Sequence, residues 1–474
     1  MAPRPSRRHA DLGPDFYDVV APARFPRHVV RHRNQAWAAR VGLGGLSDAE
    51  WIAHFGRFEP IEGSFPQPLA LRYHGHQFRS YNPDLGDGRG FLFAQLHDLA
   101  DGRLLDLGTK GSGQTPWSRF GDGRLTLKGG VREVLATTML EALGVDASKS
   151  FSLIETGEPL ERHDEPSPTR SAVLVRLSHS HIRIGSFQRL RALGQEDNIR
   201  RLLDHTIRTY LPELWRDDEA ERACAFLAAV CRRVARTGAA WMAAGFVHGV
   251  LNTDNINVTG ESFDYGPWRF APVNDPAFTA AYFDETGLYA FGRQPEALAW
   301  NLARLAECLV PLAAPERLGA ALDGLGPALQ EAFAQAILRR LGLARPAADE
   351  TLHALVGAFW AFLGQSRAPF EQVFFDWYGG IASAERAARS PAAAFYAGEG
   401  FARVRDLLPA FAPAAGLRLD HPYFAQAQPC TMLIDEVEAL WTPIADSDDW
   451  SAYHAKMAAI AAMAEAYGTA PRPA

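Results

Sequence analysis

The segment His248-Gly249-Val250-Leu251-Asn252-Thr253-Asp254-Asn255 sets an amide beside a carboxylate, and a second carboxylate follows in Asp264-Tyr265-Gly266. Singly, Asn and Asp are ordinary turn and cap residues. Together, Asn255 and Asp264 offer hard oxygen donors from two adjacent loops, the set that Mg²⁺ accepts while keeping water and phosphate in its other positions. Gly260-Glu261 is the expected tip of a hairpin between the loops. Upstream, Lys110 ends a β-prone run and is followed by Gly111-Ser112-Gly113. Glu133 lies on the one long helix of that half, expected over about 130–143, with Val131, Val134, Leu135, Met139 and Leu143 on one face and Gly144 as its stop.

The eight positions from His248 overlay the protein-kinase catalytic loop H-R-D-L-x-x-x-N, and Asp264-Tyr265-Gly266 overlays D-F-G. A strand lysine paired with a helix glutamate is the kinase device for holding phosphates, and Lys110 with Glu133 permits it; a surface charge and a solvated helix residue are the alternative. Val250 stands where a kinase carries its catalytic aspartate, so ordinary phosphoryl transfer lacks its base, although Asp254 sits one residue before Asn255. The implied fold class is α+β: a kinase-like two-lobed chain with a small β-rich lobe, a helical lobe and extensions at both ends.

The rest of the chain agrees with that plan. Short β-prone runs at 69–78, 90–96, 104–109, 151–155 and 172–177 precede helical stretches at 197–210, 217–244, 295–312, 327–341, 349–363, 431–441 and 450–467. The corresponding divisions are an N-terminal extension (1–69), a β-rich lobe (70–187), a helical lobe with the two loops (188–312) and a helical C-terminal extension (313–474). A helix over 48–55 is expected to start at the Ser47 cap, and residues 1–14, rich in Arg and Pro, read as a loose tail.

Composition narrows the partners. A net charge of -7 excludes a protein whose whole surface grips nucleic acid. The richest apolar run, Ala223 to Val230, ends at Arg232-Arg233, too short for a membrane span, and four scattered cysteines suit a reducing compartment, so a cytoplasmic location is expected. Only four of the 48 Lys and Arg residues are lysines, Lys110, Lys128, Lys149 and Lys456, and such positions read either as chance survivors of a bias toward Arg or as places where a compact ammonium is wanted on phosphate. Gly86-Asp87-Gly88-Arg89-Gly90 reads equally as a tight Asp-Gly turn or as backbone that a phosphate can approach. Arg176 and Arg183 read as phosphate clamps or surface salt bridges, and His179 and His181 between them as satisfied histidines rather than metal ligands.

The chain resembles the selenoprotein O family, protein-kinase-like proteins that transfer AMP rather than phosphate. The resemblance runs from about Phe16 to Leu309 on Tyr73-His74-Gly75-His76-Gln77-Phe78, Leu85-Gly86-Asp87-Gly88-Arg89, Lys110-Gly111-Ser112-Gly113-Gln114-Thr115-Pro116-Trp117-Ser118-Arg119, Gly121-Asp122-Gly123-Arg124, Arg132-Glu133, Gly185-Ser186-Phe187 and the two loops above. It implies ATP bound in a flipped orientation, with its α-phosphorus presented to a Ser, Thr or Tyr hydroxyl of a protein. By motif, Gly86, Gly88 and Arg89 contact nucleotide, Asp122 and Gly123 belong to a loop over it, and Arg176 and Arg183 grip phosphate. Lys110 holds phosphate and is positioned by Glu133; Asn255 and Asp264 bind Mg²⁺ or Mn²⁺, Asp264 also facing the nucleotide, and Asp254 accepts the proton. A phosphotransferase with an unusual base and a nucleotide-binding pseudokinase are the alternatives. The chain departs from the family at Arg79, where a glycine is expected, at Trp117, in place of a tyrosine, beyond about residue 400, and in lacking a cysteine near its C-terminus.

Overall fold

A computed structural model describes residues 2–163 and 165–471. The protein is a mixed α+β molecule built on a large antiparallel sheet and many helices. Its strands are β1 (Pro5–Ser6), β2 (Tyr17–Val19), β3 (Val29–Arg33), β4 (Leu69–Leu71), β5 (Gly75–Gln77), β6 (Ser80–Asn82), β7 (Leu92–His97), β8 (Leu104–Lys110), β9 (Leu125–Thr126), β10 (Lys149–Leu160), β11 (Thr169–Ser178), β12 (Phe246–His248) and β13 (Trp268–Phe270). Among the described residues nine of them form one sheet in the order β2-β4-β7-β8-β11-β10-β3, with β1 on β7 and β9 on β11; β5 pairs with β6, and β12 with β13.

The two-residue period of the central strands decides which side chains reach the site. In β11, Val173, Val175 and Leu177 enter the core shared with Trp51 and Phe55, whereas Ala172 and Leu174 enter the opposite core. Arg176 belongs to that second face. In β8, Leu105 and Leu107 point to the first core, which leaves Asp106, Gly108 and Lys110 on the second. The register sets Lys110 opposite Leu174 and Arg176 opposite Gly108, so the two cations stand diagonally on one face.

Seven helices matter for the site and its supports: α1 (Gln35–Arg40), α2 (Asp48–Phe55), α3 (Leu127–Ala142), α4 (Ile184–Ala192), α5 (Glu196–Tyr210), α6 (Glu219–Ala243) and α7 (Gln294–Leu309). The helix α2 starts where expected, with Ser47 and Glu50 completing a reciprocal capping box. The helix α3 begins earlier than expected because the Thr126 side chain caps it by accepting from Gly129 N at 3.1 Å. It lies on the second face of the sheet, its apolar side in the core with Leu153 and Leu174.

Two expectations are corrected. Residues 5–6 are not a loose tail: they form β1, with Pro5 opposite Leu96 and Ser6 opposite Gln95, and His9 N donates to the buried Gln95 Oε1 at 2.9 Å. That pairing covers polar groups on β7 that would otherwise lie unpaired. The hairpin expected to turn at Gly260-Glu261 is not a ladder of two strands either. Asn257 bridges to Arg183 and Ser262 to Ala147, so its edges pair with other parts of the chain across a turn at Gly260 (φ 79°). Local hairpin pairing lost to these longer-range partners. Beyond α7 the chain is helical, and the helix Ile434–Ser447 runs through Pro443 and past the expected end at 441. Among the described residues no helix is long and apolar enough to cross a membrane.

Candidate active site

A cavity of about 760 Å³ opens between the second face of the sheet and the loops that follow β12. Gly86, Gly88, Arg89, Lys110, Asp122, Gly123, Arg176, Arg183, Asp254 and Asp264 all line it, so ten of the residues singled out in the sequence converge on one space. Glu133 and Asn255 do not line it; each stands behind a residue that does.

The deepest wall is a cluster of four charges. Lys110 Nζ lies 2.9 Å from Glu133 Oε2 and 3.0 Å from Asp264 Oδ1. Arg176 NH1 lies 3.6 Å from Glu133 Oε1 and 3.3 Å from Asp264 Oδ1. Lys110, Glu133 and Arg176 are all buried, which rules out solvated surface charges at these positions. Burial alone would raise the Asp264 carboxyl, but Lys110, Arg176 and Arg183 outweigh it and hold this group well below the usual carboxylate range. Asp264 also sits at φ 59°, a left-handed conformation that Asp tolerates better than most residues.

The loop that carries Asp254 is fixed from several sides. The pair β12/β13 frames its start, His248 Nε2 meets Phe263 O at 3.1 Å, and Asn301 of α7 donates to Leu251 O at 2.8 Å. Thr253 Oγ1 accepts from His76 N at 2.7 Å and donates to Gln188 Oε1 of α4 at 2.5 Å. Asp254 is 8% exposed, and its Oδ1 has no hydrogen-bond partner among the described residues. Burial pushes its carboxyl up to about 6, with Arg183 opposing and the neighbouring Asp264 adding to the rise. Arg183 NH1 donates to the Asp254 backbone carbonyl at 3.2 Å. Asn255 Nδ2 donates to Val250 O at 2.9 Å, which ties this side chain across its own loop.

The chemistry of the donor set fits a hard divalent ion: the Asp254 and Asp264 carboxylates line the cavity with the Asn255 amide beside it, and Asp254 Oδ1 is buried without a hydrogen-bond partner among the described residues. Among the described residues no group of three or more His, Cys, Asp or Glu could hold an ion by itself, so such an ion needs oxygens from its substrate. His179 and His181 are buried, and burial is the main cause that lowers both rings' proton affinity. His181 Nδ1 lies 3.5 Å from Asp106 Oδ2, a core contact away from the cavity lining.

The glycines of the 86–90 loop answer to packing. A Cβ at Gly86 would meet Trp117 Cγ at 2.4 Å, and one at Gly88 would meet Trp117 O at 2.7 Å. The loops 85–90 and 111–124 therefore lie directly on one another, with Ser118 Oγ donating to Gly88 O and Thr115 Oγ1 donating to Asp87 O at 2.6 Å. Trp117 is itself anchored by Nε1 donating to Asp18 Oδ2 at 2.9 Å. The Asp122 carboxylate is engaged by Arg162, NH1 to Oδ2 at 2.8 Å, which ties the 111–124 loop to Arg162. Arg79 adopts φ 63°, the conformation in which a glycine is expected, and its guanidinium pairs with Glu296 at 2.7 Å.

Three contributors were not singled out in the sequence. Asp87 Oδ2 accepts from Leu71 N at 3.1 Å and its Oδ1 lies 3.5 Å from Arg183 NH2. Tyr73 stacks under the same guanidinium at 4.1 Å, and the Phe263 ring lies 4.7 Å from Arg176 and 4.9 Å from Arg183. These residues fix where two desolvated cations point. Asp87 and Tyr73 were quoted within motifs without a role of their own, and nothing in their local sequence tells a turn aspartate or a strand tyrosine from an arginine's partner.

The chain matches the family described as protein adenylyltransferase SelO over residues 5–461. A protein of Synechocystis sp. named protein nucleotidyltransferase YdiU is 48% identical over 370 residues, 77% of this chain and 76% of that one. Proteins of the same name from Synechococcus elongatus and Gloeobacter violaceus are 44% and 42% identical, covering 93% and 94% of this chain and 91% and 92% of theirs.

Proposed function

The chain belongs to the protein adenylyltransferase SelO family, and from that premise we infer that it transfers AMP from ATP to Ser, Thr or Tyr hydroxyls of proteins, releasing pyrophosphate. It is an enzyme of the nucleotidyltransferase class. The observation that carries the finer reading is the convergence of Lys110, Arg176 and Arg183 on one cavity that Asp254 and Asp264 also line, with Asp264 in contact with Lys110 and Arg176. Three cations suit a triphosphate, and two carboxylates of opposed character suit an ion site and a proton acceptor.

On this reading the architecture is kinase-like, the sheet with α3 forming one lobe and α4 to α7 the other, with extensions at both ends. Lys110 stabilises phosphate charge and Glu133 holds it in place. Arg176 and Arg183 bind phosphate oxygens, stiffened by Phe263 and Tyr73. The loops carrying Gly86, Gly88, Arg89, Asp122 and Gly123 cover the nucleotide. A bound Mg²⁺ or Mn²⁺ supplies charge neutralisation on the phosphate oxygens, and Asn255 with Asp264 would hold it. Asp254 takes the proton from the attacking hydroxyl, in place of the aspartate that Val250 removes from the kinase pattern. A carboxylate raised by burial is a better proton acceptor than one held down by three cations, which favours Asp254 over Asp264 for that role.

The coproduct tests the reaction. Incubation with ATP, divalent metal and an acceptor protein is expected to release pyrophosphate in step with modification. Release of ADP with a phosphorylated acceptor would assign the chain to the phosphotransferases instead.

A further inference from the structure

Beside the mouth of the cavity the chain displays aromatic side chains that the transfer chemistry does not use. Tyr282 is 85% exposed and Phe283 46%, and their rings lie 5.1 Å apart. Phe283 touches Phe78 at 5.8 Å, and Phe78 touches the buried Tyr289 at 5.0 Å. Phe78 and Arg79 form the tip of the β5–β6 hairpin, and both have positive φ, 49° and 63°. Two such residues define a tight hairpin turn that normally takes Asn-Gly, so a bulky Phe in that conformation is an outlier held by its surroundings. Its backbone N donates to Asn252 Oδ1 at 3.1 Å, and Tyr289 OH donates to the same atom at 2.8 Å. The patch is thus bolted to the loop that carries Asp254. The backbone that carries the exposed pair is held in a turn, Asp284 N donating to Ala281 O at 3.2 Å, and the Asp284 carboxylate accepts from Leu288 N and Tyr289 N, each at 2.8 Å.

Position and charge identify the occupant. A Cβ at Gly75 would lie 3.0 Å from Asp254 Oδ1, and Phe78 stands three residues further along the chain, about 10 Å at strand rise. The run Pro276-Ala277-Phe278-Thr279-Ala280-Ala281-Tyr282-Phe283 has no charged side chain; charges border it at Asp275, Asp284 and Glu285, and Arg79 beside Phe78 is paired with Glu296 at 2.7 Å, so the aromatic faces themselves offer apolar contact. Rigid exposed aromatics beside a site that accepts protein substrates are suited to apolar side chains of those substrates.

We propose that the Phe78, Tyr282 and Phe283 surface docks the substrate polypeptide, seating an apolar side chain about two to four residues from the acceptor hydroxyl in an extended segment. This rests on the protein-adenylyltransfer reading and adds a specificity determinant to it.

The test uses the full chain, α-labelled ATP and synthetic peptides with one hydroxyl residue in a Gly-Ala background and a single Phe or Leu placed one to six positions away. The expected result is a maximum in kcat/KM at two to four positions, roughly tenfold or more above peptides with Gly or Asp there. Tyr282→Ser with Phe283→Ser should erase that preference through KM, leaving saturated kcat, ATP affinity and thermal stability in place, since both side chains are exposed. Label transfer without positional preference, or a preference unchanged in the double variant, overturns the docking proposal alone. No α-label on any peptide or on protein overturns the underlying reading and the proposal with it. A sedimenting dimer that the double variant dissolves would assign the patch to a second copy and overturn it as well.

Discussion

Asp254 and Asp264 share one cavity and are driven in opposite directions. Burial disfavours the charge of both. At Asp264 the cations Lys110, Arg176 and Arg183 prevail, whereas Asp254, opposed chiefly by Arg183, is pushed up to about 6. The proposed division of labour makes Lys110 and Asp254 fail differently. Lys110→Ala should weaken ATP binding and the chemical step together, because developing phosphate charge in a desolvated cavity loses its counter-charge. Asp254→Ala should leave ATP affinity largely intact and slow transfer by roughly 10²- to 10⁴-fold, the usual worth of a positioned proton acceptor. Calorimetric ATP binding beside single-turnover transfer separates the two. Full transfer in Asp254→Ala would remove its assignment, and near-wild-type Asp254→Asn would reduce it to a local hydrogen-bonding role. The lone oxygen of Asp254, buried without a partner, speaks for the catalytic role. At this scale the sequence was informative wherever spacing carried the signal, as for Lys110, Glu133, Asp254 and Asp264. It was silent on Asp87, Tyr73 and Phe263, whose work is to orient arginines that are distant in the chain.

Among the elements, the core strands and long helices were legible because their apolar periods are unbroken, and even the Ser47 start of α2 could be placed. The N-terminal tail was not. Its polar, proline-rich sequence has no period, and β1 forms because β7 offers it a partner. The adjoining turn carries His9, which packs edge-on to His205 of α5 with ring centroids 6.0 Å apart. Burial lowers His9 to about 4 and His205 to about 3 from 6.5, the second also feeling His9. Both rings are therefore neutral in the folded protein at neutral pH, while the unfolded chain takes up protons below 6.5. Their contribution to stability is complete above that pH and is lost as the pH falls toward the folded values. Between pH 6.5 and 5 each histidine should cost about 2 kcal/mol. Urea unfolding at pH 7 and pH 5 is expected to show this loss, and His205→Gln should shrink it by about one histidine's share. An unchanged pH dependence in His205→Gln would show that the ring is protonated or solvated in the fold.

For the whole molecule, the cavity exists only because separate parts of the chain meet: Lys110 and Asp264 are 154 positions apart in sequence and in contact at 3.0 Å. The sheet face supplies Lys110 and Arg176, α3 supplies Glu133, the residue before α4 supplies Arg183, and the loops after β12, held by α4 and α7, supply the carboxylates. Their order along the chain was readable, since the loops lie between helical stretches. Their partners were not, and the hairpin expected at Gly260-Glu261 gave way to bridges with Arg183 and Ala147 because tertiary pairing outweighed local turn preference. The central claim is that this cavity presents the α-phosphorus of ATP to a protein hydroxyl. Purified protein and an acceptor protein, incubated in parallel with ATP labelled at the α- or the γ-phosphate, test it most directly. Covalent α-label without γ-label is the predicted result; covalent γ-label without α-label would contradict it.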